Sequence, residues 1–107
     1  MSKYDYDKRR DIYKVAIAEY GKEAQLWMVI EEMSELAKEI CKYMRGKRNL
    51  DDMADEIADV TIMLEQARLI FGVNDLVCEH MDEKIARLME RLDRPRPYDC
   101  DEVVWNG

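Results

Sequence analysis

Acidic residues three positions apart occur in two short segments of this chain, Glu31–Leu36 and Glu56–Asp59. Both segments lie within long amphipathic patterns, and side chains three apart share one face of an α-helix. Like charges at this spacing destabilise a helix by roughly 0.2–0.5 kcal/mol per pair. Four carboxylates that converge from two helices could bind a hard divalent cation such as Mg²⁺ or Mn²⁺, whereas a solvated acidic face is the alternative. These four carboxylates belong to Glu32, Glu35, Glu56 and Asp59.

The spacing of apolar residues predicts four helices and no strands, because apolar positions recur three and four apart along the chain. We expect an all-α fold of the four-helix-bundle type. The predicted helices run from about Asp7 to Tyr20, from Lys22 to Arg45, from just after Asn49 to Phe71, and from about Asn74 to the Arg94-Pro95 stop. We also expect one helical domain over residues 1–94 and an irregular tail over 95–107, which would pack on the bundle or on a neighbouring subunit.

Each predicted helix has a row of apolar residues that we expect to face the core. The rows are Ile12, Ala16, Ile17 and Tyr20; Leu26, Ile30, Met33, Ala37, Ile40 and Met44; Met53, Ile57, Val60, Leu64, Ala67 and Phe71; and Met81, Ile85, Leu88 and Leu92. The short connection from Gly46 to Asn49 predicts that the second and third helices pack antiparallel as a hairpin.

Three acidic and three basic residues directly precede row positions: Glu32, Glu56 and Asp59, and Lys84, Arg87 and Arg91. Because a helix turns about 100° per residue, all six flank their rows on the same side. Acids from two helices and bases from a third could then share a site for a metal-bound polyphosphate. The alternative for the bases is ordinary stabilisation of a helix C-terminus and local ion pairing.

Length and charge exclude several classes of protein. The chain has 107 residues, the length of one domain, and its net charge of −7 argues against binding to a nucleic acid polymer or an anionic membrane. No apolar run approaches the ~20 residues that a membrane span needs. Three cysteines without a CxxC motif fit a reducing compartment, so we expect a cytoplasmic protein. Cys78 and His80 alone do not make a zinc site.

The two acidic segments together resemble the MazG-like, all-α nucleoside triphosphate pyrophosphohydrolases, a superfamily that includes dimeric dUTPases and dCTP pyrophosphatases. The family pattern is EExxE followed by ExxD. Here it reads Glu31-Glu32-Met33-Ser34-Glu35 and Glu56-Ile57-Ala58-Asp59. The flanking Tyr20-Gly21 and Gln25 are also similar, and the resemblance covers roughly residues 10–96.

The resemblance implies hydrolysis of an NTP or dNTP to the monophosphate and pyrophosphate. It implies Mg²⁺, with Mn²⁺ as a possible substitute, bound by Glu32, Glu35, Glu56 and Asp59. Glu35 or Glu31 would be the general base, and the sequence does not choose between them. Phosphate-binding residues would be Lys84, Arg87 and Arg91, and base-binding residues would be Gln25, Trp27 and Tyr43, with core packing as the alternative for both aromatics. Family members are commonly oligomers, so we expect a homodimer or homotetramer.

A second class of function stays open, that of a non-catalytic interaction protein. In that case the acidic residues of the helical bundle serve solubility, and the protein needs no metal. A di-iron carboxylate bundle is excluded, because it needs Glu-x-x-His motifs on two helices. The chain has a single histidine, His80, and Val77 lies three residues before it.

Overall fold

The computed structural model describes residues 2–93, and all helices in that range are α-helices. They are α1 (Tyr6–Tyr20), α2 (Lys22–Met44), α3 (Leu50–Phe71) and α4 (Asn74–Leu92). No strand occurs within these residues. The predicted all-α fold with four helices is therefore confirmed, and the helix bounds agree with the prediction to within about one or two residues.

Local signals place the helix ends. The Asp5 side chain accepts a hydrogen bond from the backbone N–H of Lys8 at 2.9 Å and thereby caps α1. The Asn49 side chain caps α3 in the same way, through the N–H of Asp52 at 3.1 Å. Gly72 ends α3 in the left-handed conformation, at φ 65°, which glycine adopts without steric cost. Asn74 is the first residue of α4 rather than its N-cap, since Val73 holds that position without a side-chain hydrogen bond.

The chain divides into two compact units after Gly72. The first unit contains α1, α2 and α3, and the second begins at Val73 and contains α4. The domain boundary predicted at residues 94 and 95, and the predicted packing of the tail, lie outside the described residues. Within residues 2–93, no helix combines the length and the apolar character needed to cross a membrane.

Helices α2 and α3 form the predicted antiparallel hairpin. Gln25 on α2 contacts Gln66 on α3, and Glu32, seven residues further along α2, approaches Asp59, seven residues earlier on α3. At the other end, the backbone N–H of Lys47 bonds to the carbonyl of Lys42 at 2.9 Å and closes the turn.

The face of α2 that packs within the first unit is not the predicted row. Its buried and half-buried residues are Gln25, Leu26, Val29, Glu32, Leu36, Glu39 and Tyr43. Of the predicted row only Leu26 belongs to this set, whereas Ile30 is 55% exposed and Met44 is 78% exposed. The packed face therefore lies roughly one residue, or about 100°, around the helix from the most apolar row.

The other predicted rows are also covered only in part. On α3, Val60 is buried, and Met53 and Ala67 are half-buried; three further members of that row are exposed: Ile57, Leu64 and Phe71. On α4, all four predicted row residues are exposed: Met81, Ile85, Leu88 and Leu92. The spacing of apolar residues thus predicted the helices correctly, but it did not predict which face of each helix is buried.

One carboxylate on α3, that of Glu65, accepts hydrogen bonds from two residues of α1. Glu65 accepts two hydrogen bonds from the Arg9 guanidinium, at 3.1 and 3.0 Å, and a third from the Tyr13 hydroxyl at 2.6 Å. Tyr13 is the one buried residue of α1, although the predicted row of that helix names Ile12 instead, which is 52% exposed. Burial of the Tyr13 ring is favourable, because its hydroxyl group keeps a hydrogen-bond partner in Glu65.

Candidate metal centre

Three of the four predicted metal ligands converge between α2 and α3. Glu32 comes from the middle of α2, and Glu56 and Asp59 come from consecutive turns of α3. One carboxylate oxygen of each lies within 4.8 Å of the others, and all three residues are half-buried. The convergence of the three acids from two helices, which the motif spacing predicted, is confirmed for this triad.

Three polar residues at a seven-residue spacing lie on the face of α2 that packs against α3. Residues seven apart on a helix are offset by only about 20°, so Gln25, Glu32 and Glu39 share one face of α2. Val29 and Leu36 lie between them and supply apolar contact area. The polar residues are thus held at the hairpin interface by the apolar residues that alternate with them.

The electrostatics of the triad are those of crowded carboxylates. Partial burial, followed by the charges of Asp59 and Glu56, raises the pKa of Glu32 above its ordinary value. A hydrogen bond to Asp59 contributes in the same direction to the raised pKa of Glu32. Burial and the charges of Asp59 and Glu35 likewise raise the pKa of Glu56. The crowding thus makes ionisation of Glu32 and Glu56 less favourable than in water, and a bound cation would offset this repulsion.

One oxygen of the triad lacks any hydrogen-bond partner. The Oε2 atom of Glu56 is buried and receives no hydrogen bond in the described part of the chain. Leaving a buried acceptor unsatisfied is costly, whereas binding a cation would satisfy it. Three carboxylates form an all-oxygen donor set of the kind that Mg²⁺ and Mn²⁺ take. The residues present therefore fit a hard divalent cation.

Glu35, the fourth predicted ligand, is not part of the triad. Its Oε1 atom lies 3.4 Å from Nζ of Lys38, and its side chain is about half exposed. It is nevertheless close enough for its charge to raise the pKa of Glu56. Glu31, the other candidate base, is exposed, and its charge contributes to the raised pKa of Glu32. The charges of both candidate bases therefore act on residues of the triad.

The three predicted base-binding residues have different surroundings. Gln25 is buried, and its Nε2 donates to Oε1 of Gln66 at 2.7 Å. Trp27 is 64% exposed, so the alternative of core packing is wrong for this residue within the described structure. Tyr43 is half-buried, and the Arg48 guanidinium lies 5.0 Å above its ring in a cation–π contact.

The predicted phosphate-binding residues all belong to the second unit. Lys84, Arg87 and Arg91 are exposed on α4 and line one surface depression together with Leu88. Their spacing of three and four residues places them on one side of the helix. The binding of phosphate by these bases stays a prediction.

Sequence reasoning missed two buried polar residues on the packed faces of α2 and α3. Glu39 is buried, and its Oε2 atom lies 3.5 Å from Nζ of Lys42. Gln66 is buried and pairs with Gln25. A signal for Glu39 was present, because it repeats the seven-residue spacing that relates Gln25 to Glu32. Gln66 had no comparable signal.

Comparison with protein-family models, with curated proteins and with solved structures finds no match for this chain.

Proposed function

We propose that the protein is a metal-dependent nucleoside triphosphate pyrophosphohydrolase that converts an NTP or dNTP and water to the monophosphate and pyrophosphate. The observation that carries the proposal is the convergence of Glu32, Glu56 and Asp59 at a half-buried interface. The Oε2 atom of Glu56 supports it, because this buried oxygen has no hydrogen-bond partner among the described residues and a cation would satisfy it. The order of the acidic segments, EExxE before ExxD, supports the choice of reaction.

In this proposal Glu32, Glu56 and Asp59 hold Mg²⁺ or Mn²⁺, with Glu35 completing the set. The cation supplies charge neutralisation for the carboxylates and the substrate phosphates. A water attacks in line as the P–O bond between the α and β phosphates breaks, and its proton passes to Glu35 or Glu31. The charges of both acids act on residues of the triad, so both remain candidates for the base.

The remaining binding roles follow the resemblance. Lys84, Arg87 and Arg91 are proposed to bind the phosphates, and Gln25, Trp27 and Tyr43 to bind the base. The exposed Trp27 ring is available for stacking on a nucleobase. Gln25 gives one amide N–H to Gln66, so its second N–H and its carbonyl oxygen are the groups that would contact a base.

We propose that the active form is a homodimer or homotetramer in the cytoplasm. Support for an oligomer comes from the α2 row that this chain leaves exposed, including Ile30, Met33, Ile40 and Met44. A row of large apolar side chains of this kind is typical of a protein–protein contact. Size-exclusion chromatography with light scattering tests this, and a monomer at micromolar concentration would contradict it.

The same exposed row also suits the alternative function, a non-catalytic interaction protein whose partner covers α2. That alternative predicts no dependence on Mg²⁺. It also predicts that Glu32→Ala leaves stability unchanged or slightly higher, with no activity to lose.

The deciding experiment measures pyrophosphate release from a panel of canonical and modified NTPs and dNTPs, with Mg²⁺ and with EDTA. Wild type is compared with Glu32→Ala and with Glu23→Ala, which removes an exposed acid from the first turn of the same helix. We expect metal-dependent release that Glu32→Ala lowers at least about a hundredfold and Glu23→Ala preserves. No release from any nucleotide by folded wild type would reject the enzyme in favour of the interaction protein.

A further inference from the structure

Lys42 lies in the last turn of α2, at the edge of the acidic interface. Its Nζ atom is 3.5 Å from Oε2 of Glu39, and the two side chains differ greatly in exposure, at 53% for Lys42 and 11% for Glu39. Glu39 is thus buried in the hairpin interface while the ammonium that pairs with it reaches solvent. This arrangement leaves donors of Lys42 available, because an ammonium has three N–H groups and Glu39 occupies one direction.

Lys42 lies on the side of α2 that carries Glu35, whose charge acts on Glu56 of the triad. Lys42 follows Glu35 by seven residues, so the two side chains lie on nearly the same side of α2, separated by about 10 Å along the axis. Side chains on a helix lean toward its N-terminus, and Lys42 accordingly reaches back over Glu39. Glu39 lies close enough to the triad for its charge to act on Glu56. The ammonium therefore extends the line of polar groups that begins at the triad.

A triphosphate suits this line of groups. If its α-phosphate lay beside the triad, the β and γ phosphates of a triphosphate would extend several ångströms beyond it. In the direction of Glu39 they would meet the Lys42 ammonium group. A lysine ammonium is a compact point charge that binds phosphate oxygens. Lys42 also belongs to the same compact unit as the triad, so this contact requires no residue from the second unit.

We propose that Lys42 binds the part of the substrate that leaves as pyrophosphate, with Glu39 as the residue that positions its ammonium group. This inference rests on the proposed function and adds a phosphate contact to it. Lys42 touches substrate in this scheme, whereas Glu39 acts through Lys42. A purely structural role, in which Lys42 only neutralises the buried Glu39, is the competing explanation.

The test is isothermal titration calorimetry with inorganic pyrophosphate in the presence of Mg²⁺, which measures binding independently of turnover. Lys42→Gln removes the charge, Lys42→Arg keeps it, and Lys22→Gln makes the same charge change about 30 Å away, at the other end of α2. We expect Lys42→Gln to weaken pyrophosphate binding by roughly ten- to a hundredfold, since hydrogen bonds between charged groups are the strong ones. Lys42→Arg and Lys22→Gln should stay within a few-fold of wild type.

Thermal melts of the same variants separate binding from folding. Pyrophosphate affinity of Lys42→Gln within about twofold of wild type would overturn the inference and leave the proposed function intact. Loss of binding in both Lys42→Gln and Lys42→Arg, together with a lowered Tm in both, would assign Lys42 a structural role and also overturn it. Failure of wild type both to bind pyrophosphate and to release it from any nucleotide would remove the proposed function itself.

Discussion

Two carboxylate environments lie within the unit formed by α1, α2 and α3, and they differ in the donors around them. Glu65 receives hydrogen bonds from Arg9 and Tyr13, so the protein itself satisfies its charge. The triad residues Glu32 and Glu56 face other carboxylates instead, and one oxygen of Glu56 is buried without a partner in the described residues. A carboxylate of the first kind stabilises the fold, whereas carboxylates of the second kind form an oxygen donor set that fits a cation.

The acid–base properties of the two environments are opposite. The hydrogen bond from Arg9, followed by that from Tyr13, lowers the pKa of Glu65 despite its partial burial. Burial and the neighbouring charges raise the pKa of Glu32 and of Glu56. Burial and the bond to Glu65 also raise the pKa of Tyr13 to about 12, so its hydroxyl remains a donor at neutral pH. The contrast identifies the triad as a candidate site without any reference to a motif.

The largest expected effect on stability comes from Glu65→Gln. This variant keeps the shape of the side chain but turns one acceptor oxygen into an amide N–H that faces the donors of Arg9 or Tyr13. We expect the Tm in EDTA to fall by roughly 5–10 °C, because hydrogen bonds between α1 and a charged group on α3 are lost. Thermal unfolding followed by circular dichroism measures this.

Glu56→Gln is the matched variant in the other environment, and its effect should have the opposite sign. Removing one of several crowded negative charges relieves repulsion, so the Tm in EDTA should stay unchanged or rise. Addition of Mg²⁺ should raise the Tm of wild type and of Glu65→Gln but not that of Glu56→Gln. An equal fall in Tm for both glutamine variants would show that the two environments do not differ as described.

A smaller effect is expected in the pH dependence of stability in EDTA. Glu32 has a folded pKa above its ordinary value of 4.5, so the folded state binds more protons just above pH 4.5 and loses stability as the pH rises there. Glu32→Gln resembles the protonated acid, so its Tm should equal that of wild type near pH 4.5 and exceed it at neutral pH.

For Glu65 the sign is reversed. Its folded pKa lies below 4.5, so its contribution is present above pH 4.5 and disappears as the pH falls through the folded pKa. The Tm difference between wild type and Glu65→Gln should therefore shrink in acid. Parallel Tm curves for wild type and either variant between acid and neutral pH would contradict the assigned shift of that residue.

The helices and the triad could be predicted from the sequence, because their signals lie in residues close together along the chain. Gly21 and Gly72 mark helix ends, and the three-residue spacing of acids on two predicted helices placed Glu32 near Glu56. The buried face of α2 could not be predicted from the sequence. Apolar periodicity indicates the most hydrophobic row, whereas the face that packs against α3 includes Glu39. The contact between Tyr13 and Glu65 joins residues 52 positions apart and depends on how α1 meets α3.

The smallest effect is expected for a double variant at the interface between α2 and α3, where that interface is polar but uncharged. Gln25 and Gln66 are both buried and satisfy each other at 2.7 Å. Gln66→Met alone would leave the Gln25 amide without its acceptor and cost roughly 1–3 kcal/mol, whereas Gln25→Met with Gln66→Met should stay within about 1 kcal/mol of wild type. Chemical denaturation of both single variants and the double variant measures this coupling. Additive losses would show that the two amides act independently. If the double variant also kept the nucleotide preference of wild type, the predicted base-binding role of Gln25 would be wrong and its function would be packing alone.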